Sequence, residues 1–180
     1  MHSTSLLARG KWFVYVTSLL ALGSILGVNH TRADEPNPKL KPNHGSVTLK
    51  HGFRPDPYTR SLSAGGSIKT ELGGVKAHVP NAPSFKVHYT AEVVLDGSLP
   101  SPLRIFVESK ADTTLLIKLP DGSWVANDDG GGGRNPQVRF GRPQTGWYTI
   151  WVGTFGQTPV NGVAATLHVS ELPPGKKLSK

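Results

Sequence analysis

Residues 112–133 constrain this chain more than any other stretch: D-T-T-L-L-I-K-L-P-D-G-S-W-V-A-N-D-D-G-G-G-G. From Thr113 to Leu119 the side chains are apolar at odd and even positions alike. A strand with that pattern is covered on both faces, so it belongs at the centre of a sheet. Pro120-Asp121-Gly122 then supplies turn chemistry, with Pro fixing φ and Gly accepting a positive φ. A short strand carrying Trp124 follows, and an acidic glycine loop ends the stretch. A second two-sided run answers it, Gly146-Trp147-Tyr148-Thr149-Ile150-Trp151-Val152-Gly153. Two such strands form the middle of a sandwich.

The rest of the chain supplies shorter strands with one wet face. Residues 84–95 alternate, with Phe85, Val87, Tyr89, Ala91 and Val93 on one side and Lys86, His88, Thr90 and Glu92 on the other. Residues 103–108 point Leu103, Ile105 and Val107 inward. Residues 136–140 do so with Val138 and Phe140, and residues 163–170 with Val163, Ala165, Leu167 and Val169. Residues 46–50 and 67–72 are further short strands. No window carries the 3.6-residue period of a long amphipathic helix. Turn residues recur between strands at the spacing of an all-β sandwich. The expected fold is all-β: an antiparallel β-sandwich in a single domain, residues 45–172.

The ends of the chain read differently. Arg9 and Lys11 precede an apolar run from Trp12 to Val28, and Thr31-Arg32-Ala33 places small residues at −3 and −1. Residues 1–33 are thus expected to be a signal peptide, cleaved after Ala33; an uncleaved anchor is the competing reading. Residues 34–44 hold Pro36, Pro38 and Pro42 among polar residues and read as a flexible linker. Residues 173–180 read as a disordered basic tail. The chain has no Cys, which excludes a lipid-modified cysteine and any disulfide. Three of the 20 Lys/Arg and none of the 12 Asp/Glu fall in the leader, so a mature chain keeps a net charge of +5. That charge suits a solvated face or anionic envelope polymers. Nucleic acid is not expected, because no aromatic residues interleave with clustered arginines.

Candidate chemistry is sparse. Asn127, Asp128, Asp129 and Asn135 offer hard oxygen donors around four glycines. Calcium bound there is one reading and a solvated turn the other, since the alternating acids of the helix-loop-helix calcium motif are absent. Trp124, Trp147 and Trp151 either fill a core or form an aromatic platform for a ligand. The mature histidines, His44, His51, His78, His88 and His168, have no metal-ligand spacing, and His88 and His168 fall on the polar faces of their strands. No G-x-S-x-G elbow occurs, and the adjacent Asp128 and Asp129 would point apart on a strand, unlike a glycosidase pair.

With these residues in view, the chain resembles the bacterial pre-peptidase C-terminal domain family. The resemblance rests on residues 112–124, on Asn127-Asp128-Asp129-Gly130, on Asn135-Pro136, on residues 146–153 and on Ser170-Glu171, and it covers residues 84–172. Gly52-Phe53-Arg54-Pro55-Asp56-Pro57 and Ser63-Ala64-Gly65-Gly66 are similar to the upstream extension of stand-alone exported relatives. Several such relatives carry a cysteine before the acidic pair, where this chain has Ala126. The resemblance implies a jelly-roll-like sandwich and a secreted accessory or binding role without catalysis, acting in the periplasm or outside the cell. It names no ligand; the partner expected for an exported basic chain is an unidentified envelope polysaccharide or secreted protein. No cofactor is required, and no membrane insertion remains after cleavage. A lectin-like module using an exposed aromatic face is the alternative, and a hydrolase stands third.

The leader yields the first test. N-terminal sequencing of the exported protein is expected to begin at Asp34; Met1 retained in a membrane fraction would show the anchor instead.

Overall fold

The structure, a computed structural model, describes residues 35–156 and 161–178; the proposed leader and its cleavage site lie outside them. Among the described residues eleven strands follow in chain order: β1 (Ser46–Lys50), β2 (Tyr58–Ala64), β3 (Ile68–Leu72), β4 (Val75–Val79), β5 (Phe85–Thr90) and β6 (Leu103–Ser109). The others are β7 (Thr113–Lys118), β8 (Trp124–Asn127), β9 (Gln137–Phe140), β10 (Gly146–Thr154) and β11 (Val163–Ser170). They form two sheets. The smaller runs β2-β11-β6-β9, all antiparallel. The larger is centred on β10, which pairs β7 on one edge and β5 on the other, with β8 beyond β7 and β1 beyond β5.

This is the expected all-β sandwich in one domain, with one difference in strand direction. β1 runs parallel to β5, Ser46 opposite Lys86 through Lys50 opposite Thr90. A parallel pair needs a crossover rather than a hairpin. The chain between the two strands supplies one by building β2 in the other sheet and then the β3–β4 hairpin.

The main core lies between the sheets. Phe85, Val87 and Tyr89 of β5, Leu115 and Ile117 of β7, and Tyr148, Ile150 and Val152 of β10 meet Leu103, Ile105 and Val107 of β6 and Leu167 and Val169 of β11. A second, smaller cluster explains why β7 and β10 are apolar on both faces. Leu116 and Trp151 point away from the main core and are covered by Ala77 and Val79, with Ile68, Leu72, Trp124 and Ala126 around them. The cover is the β3–β4 hairpin, folded back over the sheet. Burying Leu116 completely stabilises by about 1.5–3 kcal/mol relative to leaving it wet, which a two-stranded hairpin cannot gain alone.

Two close approaches hold the hairpin there. A Cβ on Gly153 would stand 2.6 Å from Thr114 Oγ1 and 2.7 Å from the His78 carbonyl oxygen, so β4 lies directly on the bare backbone of β10. At the hairpin tip, Gly73 has φ +59° and its Cβ position is 3.0 Å from Ala126 N.

Other departures from the sequence reading have local causes. β5 stops at Thr90 rather than running to residue 95, because Glu92 turns back to accept the Ser101 N–H at 2.9 Å and begins a loop. Val93, expected inward, is 81% exposed. His168 lies on the outward side of β11, as its parity requires, yet is buried, because Phe106 stacks on it with ring centroids 4.5 Å apart. Residues 34–44 read as a linker, and the described part lies against the sandwich. Asn37 N–H donates to Asn81 O and Asn43 N–H to Pro83 O, each at 2.8 Å, and Lys86 Nζ donates to Pro38 O. In the basic tail, Leu178 exchanges backbone hydrogen bonds with Asp56.

Gly153→Ala is expected to destabilise the protein by about 1–3 kcal/mol through overpacking between β10 and β4. Chemical denaturation reads it; an unchanged midpoint would mean that β4 does not cross there.

Candidate functional site

Strand order brings five connections to one end of the sandwich: the β1–β2, β5–β6, β7–β8 and β9–β10 loops and the segment after β11. The residues that meet there are far apart in sequence. The Glu171 carboxylate accepts the Tyr89 hydroxyl at 2.5 Å and the Gly52 N–H at 3.0 Å, and lies 3.3 Å from His51 Nδ1. His51 Nε2 faces Glu92 Oε1 at 3.5 Å. Beside this cluster the buried Asp56 carboxylate accepts the Ser170 hydroxyl at 2.5 Å and the Glu171 N–H at 3.1 Å. Arg104 donates to the Leu172 carbonyl at 2.7 Å.

These groups have the composition of acid–base machinery. The Glu171 and Asp56 carboxylates already accept donors from their own chain, and Ser170 donates to a carboxylate instead of to an imidazole. The cluster has a mechanical effect. One carboxylate, Glu171, ties the first turn after β1, the end of β5 and the exit of β11 together. Through His51 it also reaches Glu92, at the base of the β5–β6 loop.

That loop, residues 91–102, is the most exposed apolar feature of the described chain. Leu95 is 93% exposed and Leu99 70%, in addition to Val93. Single exposed hydrophobics are ordinary, but here three fall within seven positions of one loop. The loop is pinned at both ends. Ala91 N–H donates to Thr145 Oγ1 at 3.0 Å, and Glu92 bridges to Ser101. Its tip is an Asx-type turn, with the Ser98 N–H on Asp96 Oδ1 at 2.9 Å and Gly97 at φ +79°. Those Ser98 hydrogen bonds hold the Asp96 carboxyl below its ordinary range. Beside the loop is an open recess of about 550 Å³, with Leu99, Pro100 and Pro102 on one side and Arg139 and Arg142 on the other.

The residues singled out from sequence are dispersed. Trp151 is fully buried in the second cluster and Trp124 packs on it at 5.0 Å, so these two are core side chains. Trp147 remains 48% exposed with its ring edge-on to His88 at 5.1 Å. The three do not form one platform. The acidic glycine loop lies at the other end of the sandwich. Asn127 Oδ1 accepts the N–H groups of Gly130 and Gln137 at 2.7 and 2.9 Å, and Asn135 Oδ1 accepts that of Ser109 at 3.0 Å. Both amide oxygens are therefore already taken by backbone N–H groups, that of Asn127 within the loop and at the start of β9, that of Asn135 at the end of β6. Asp128 is half-buried and Asp129 exposed, and among the described residues no three His, Asp or Glu side chains are placed to hold a metal ion.

A second recess of about 490 Å³ lies over the smaller sheet, lined by Phe106, His168, Gln137 and the segment around Lys176. His168 Nε2 sits 3.2 Å from Glu108 Oε2. Burial nevertheless holds the His168 pKa below its ordinary value.

No protein-family profile matches this chain, and no curated protein sequence does. Among solved structures it is similar to PliG of Aeromonas hydrophila, a periplasmic inhibitor of g-type lysozyme, at 17% identity over 70% of this chain and 96% of that one, with a TM-score of 0.35. It is also similar to CorA of Methylomicrobium album BG8, a surface-associated copper-binding protein, at 9% identity over 71% of this chain and 100% of that one, with a TM-score of 0.39.

The tyrosines at this end give a pH prediction. Burial, and then the Glu171 carboxylate, hold the Tyr89 phenol far above its ordinary value; burial pushes Tyr148 up to about 12. The folded state thus favours the neutral phenols. Their contribution is complete below the unfolded pKa of about 10 and is lost as pH rises from there towards about 12. Denaturation midpoints measured from about pH 9 to about pH 12 should fall steeply in the native protein and less steeply in Tyr89→Phe/Tyr148→Phe.

Proposed function

We propose that this chain is an exported, non-catalytic binding module of the pre-peptidase C-terminal type, engaging its target through the loop end of the sandwich. One observation carries the reading: a pinned loop presents Val93, Leu95 and Leu99 to solvent from an otherwise well-packed body. Keeping three large aliphatic side chains wet gives up burial energy, and such patches mark interaction sites. The leader-like residues 1–33 support export. The polar cluster at the same end supports binding over catalysis, because its carboxylates act as clamps on the backbone that carries the loop.

The test uses the full exported protein, immobilised and offered envelope polysaccharide and exported proteins in separate arms. One arm is expected to give saturable retention that Leu95→Ser/Leu99→Ser weakens by about tenfold or more, with the unfolding midpoint unchanged. Turnover of a peptide, ester or glycoside that co-purifies with the protein and disappears in Glu171→Gln would overturn the reading in favour of a hydrolase. Retention of polysaccharide abolished by Trp147→Ala alone would favour the lectin-like alternative.

A further inference from the structure

Beside the apolar loop the two strands at the edge of the smaller sheet place positive charge against positive charge. Arg104 of β6 and Arg139 of β9 are directly opposite in register. Like charges at such a position destabilise a sheet. Burial and the Arg139 charge hold the Arg104 pKa below its ordinary value. Arg104 is partly relieved by the carbonyls of Glu171 and Leu172. Arg139 and Arg142 are exposed, and among the described residues neither forms an ion pair, all such pairs being made by histidines. The two free guanidinium groups therefore line the recess whose other wall is Leu99, Pro100 and Pro102. Charge and apolar surface meet at one edge, and among the described residues no Asp or Glu lines the recess.

We propose that the β5–β6 loop docks into an apolar cleft of a partner protein, and that carboxylates on the rim of that cleft enter the recess against Arg139 and Arg142. This rests on the binding-module reading and specifies its partner. The chemistry selects a protein. Aliphatic side chains offer a sugar neither the stacking face nor the hydrogen bonds by which polysaccharides are held. A lipid surface does not fit, because the loop leads with Asp96, whose carboxylate Ser98 keeps ionised, and a charge is expensive to carry into hydrocarbon. A second copy does not fit either: a two-fold contact through this end sets the same arginines against each other. Pinning at Ala91, Glu92 and the Asp96 turn lowers the ordering cost of binding. The arginine rim steers an acidic partner and makes the affinity sensitive to salt.

The experiment replaces Leu95 with photoreactive p-benzoylphenylalanine in the full chain, expressed in the cells that export it. A control places the same group at the exposed Lys69 on β3, away from the loop end. After irradiation the cross-linked peptide is mapped and the protein that carries it is purified. The expected result is a cross-link from position 95 to a cleft bearing Asp or Glu. Dissociation constants should then rise about tenfold or more for Leu95→Ser, a hot-spot effect, and again for Arg139→Glu/Arg142→Glu. Added salt should weaken the native complex more than that of the arginine variant. Cross-links only to lipid or to a second copy would overturn the proposal. So would Leu95-dependent sedimentation with phosphatidylglycerol vesicles, or an arginine variant that binds like the native chain. Cross-linking to one partner from Lys69 but not from position 95 would leave the binding-module reading standing and remove this one; no cross-link from either position would remove both.

Discussion

Val152 sits where the larger sheet changes partner. Up to Ile150, β10 is bonded along one edge to β5; at Thr154 the same edge is bonded to β4. Between them the backbone of β10 would be left open inside the protein. Ser84 and Gly65 close the gap: Val152 N–H donates to Ser84 Oγ at 2.9 Å, Gly65 N–H donates to Val152 O at 3.0 Å, and Ser84 N–H donates to Ile150 O at 2.8 Å. A buried N–H left unpaired there would cost about 1–3 kcal/mol. Because the gap is closed, β4 can leave the sheet plane, pass over Gly153 and carry the β3–β4 hairpin across Trp151 and Leu116. The second core, the two-sided β7 and the buried Trp151 all depend on that change of partner.

The same sheet determines where the proposed binding end forms. β10 fixes β5 in register from Gly146 opposite Tyr89 to Ile150 opposite Phe85, and β5 holds β1 beside it. That places His51, Tyr89 and the start of the β5–β6 loop within reach of the residue after β11. Glu171 then joins them. Its side chain is almost covered, so its hydrogen bonds work in a lower dielectric than water and count for more than surface pairs. A loop held this way departs from a rigid platform, and its apolar side chains stay presented without collapsing onto the sandwich. Stability is concentrated in the two cores, and the β5–β6 loop, the proposed binding element, adds little to either.

Much of this was legible in the residues. Leu115, Leu116 and Ile117 in a row announced a strand covered twice, and Leu103, Ile105 and Val107 or Leu167 and Val169 announced strands covered once. β2 was not legible, because in Y-T-R-S-L-S-A only Leu62 and Ala64 are buried and the rest reads as loop. β4 was hidden by its length, five residues between a glycine pair and Pro80. The polar cluster could not be found by spacing, since His51 and Glu171 are 120 positions apart and meet only through the pairing of β1, β5 and β11. Nor could the arginine pair, which exists only once β6 and β9 are in register.

The alternation that begins at Phe85 continues through Ala91, Val93 and Leu95, yet the strand ends at Thr90. Periodicity reports which side chains share a face; it does not report whether anything covers that face. Up to Tyr89 the other sheet covers it, and the pattern is explained by folding. Beyond Thr90 the backbone bends away, Glu92 caps Ser101, and nothing in the described chain buries Val93 or Leu95. Folding alone places no value on large aliphatic residues at those positions, where polar ones would keep the loop soluble at no loss of core. The mismatch between a pattern that persists and a sheet that stops therefore supports the proposed contact with a surface outside this chain. It is the place where sequence and structure, read together, say more than either does by itself.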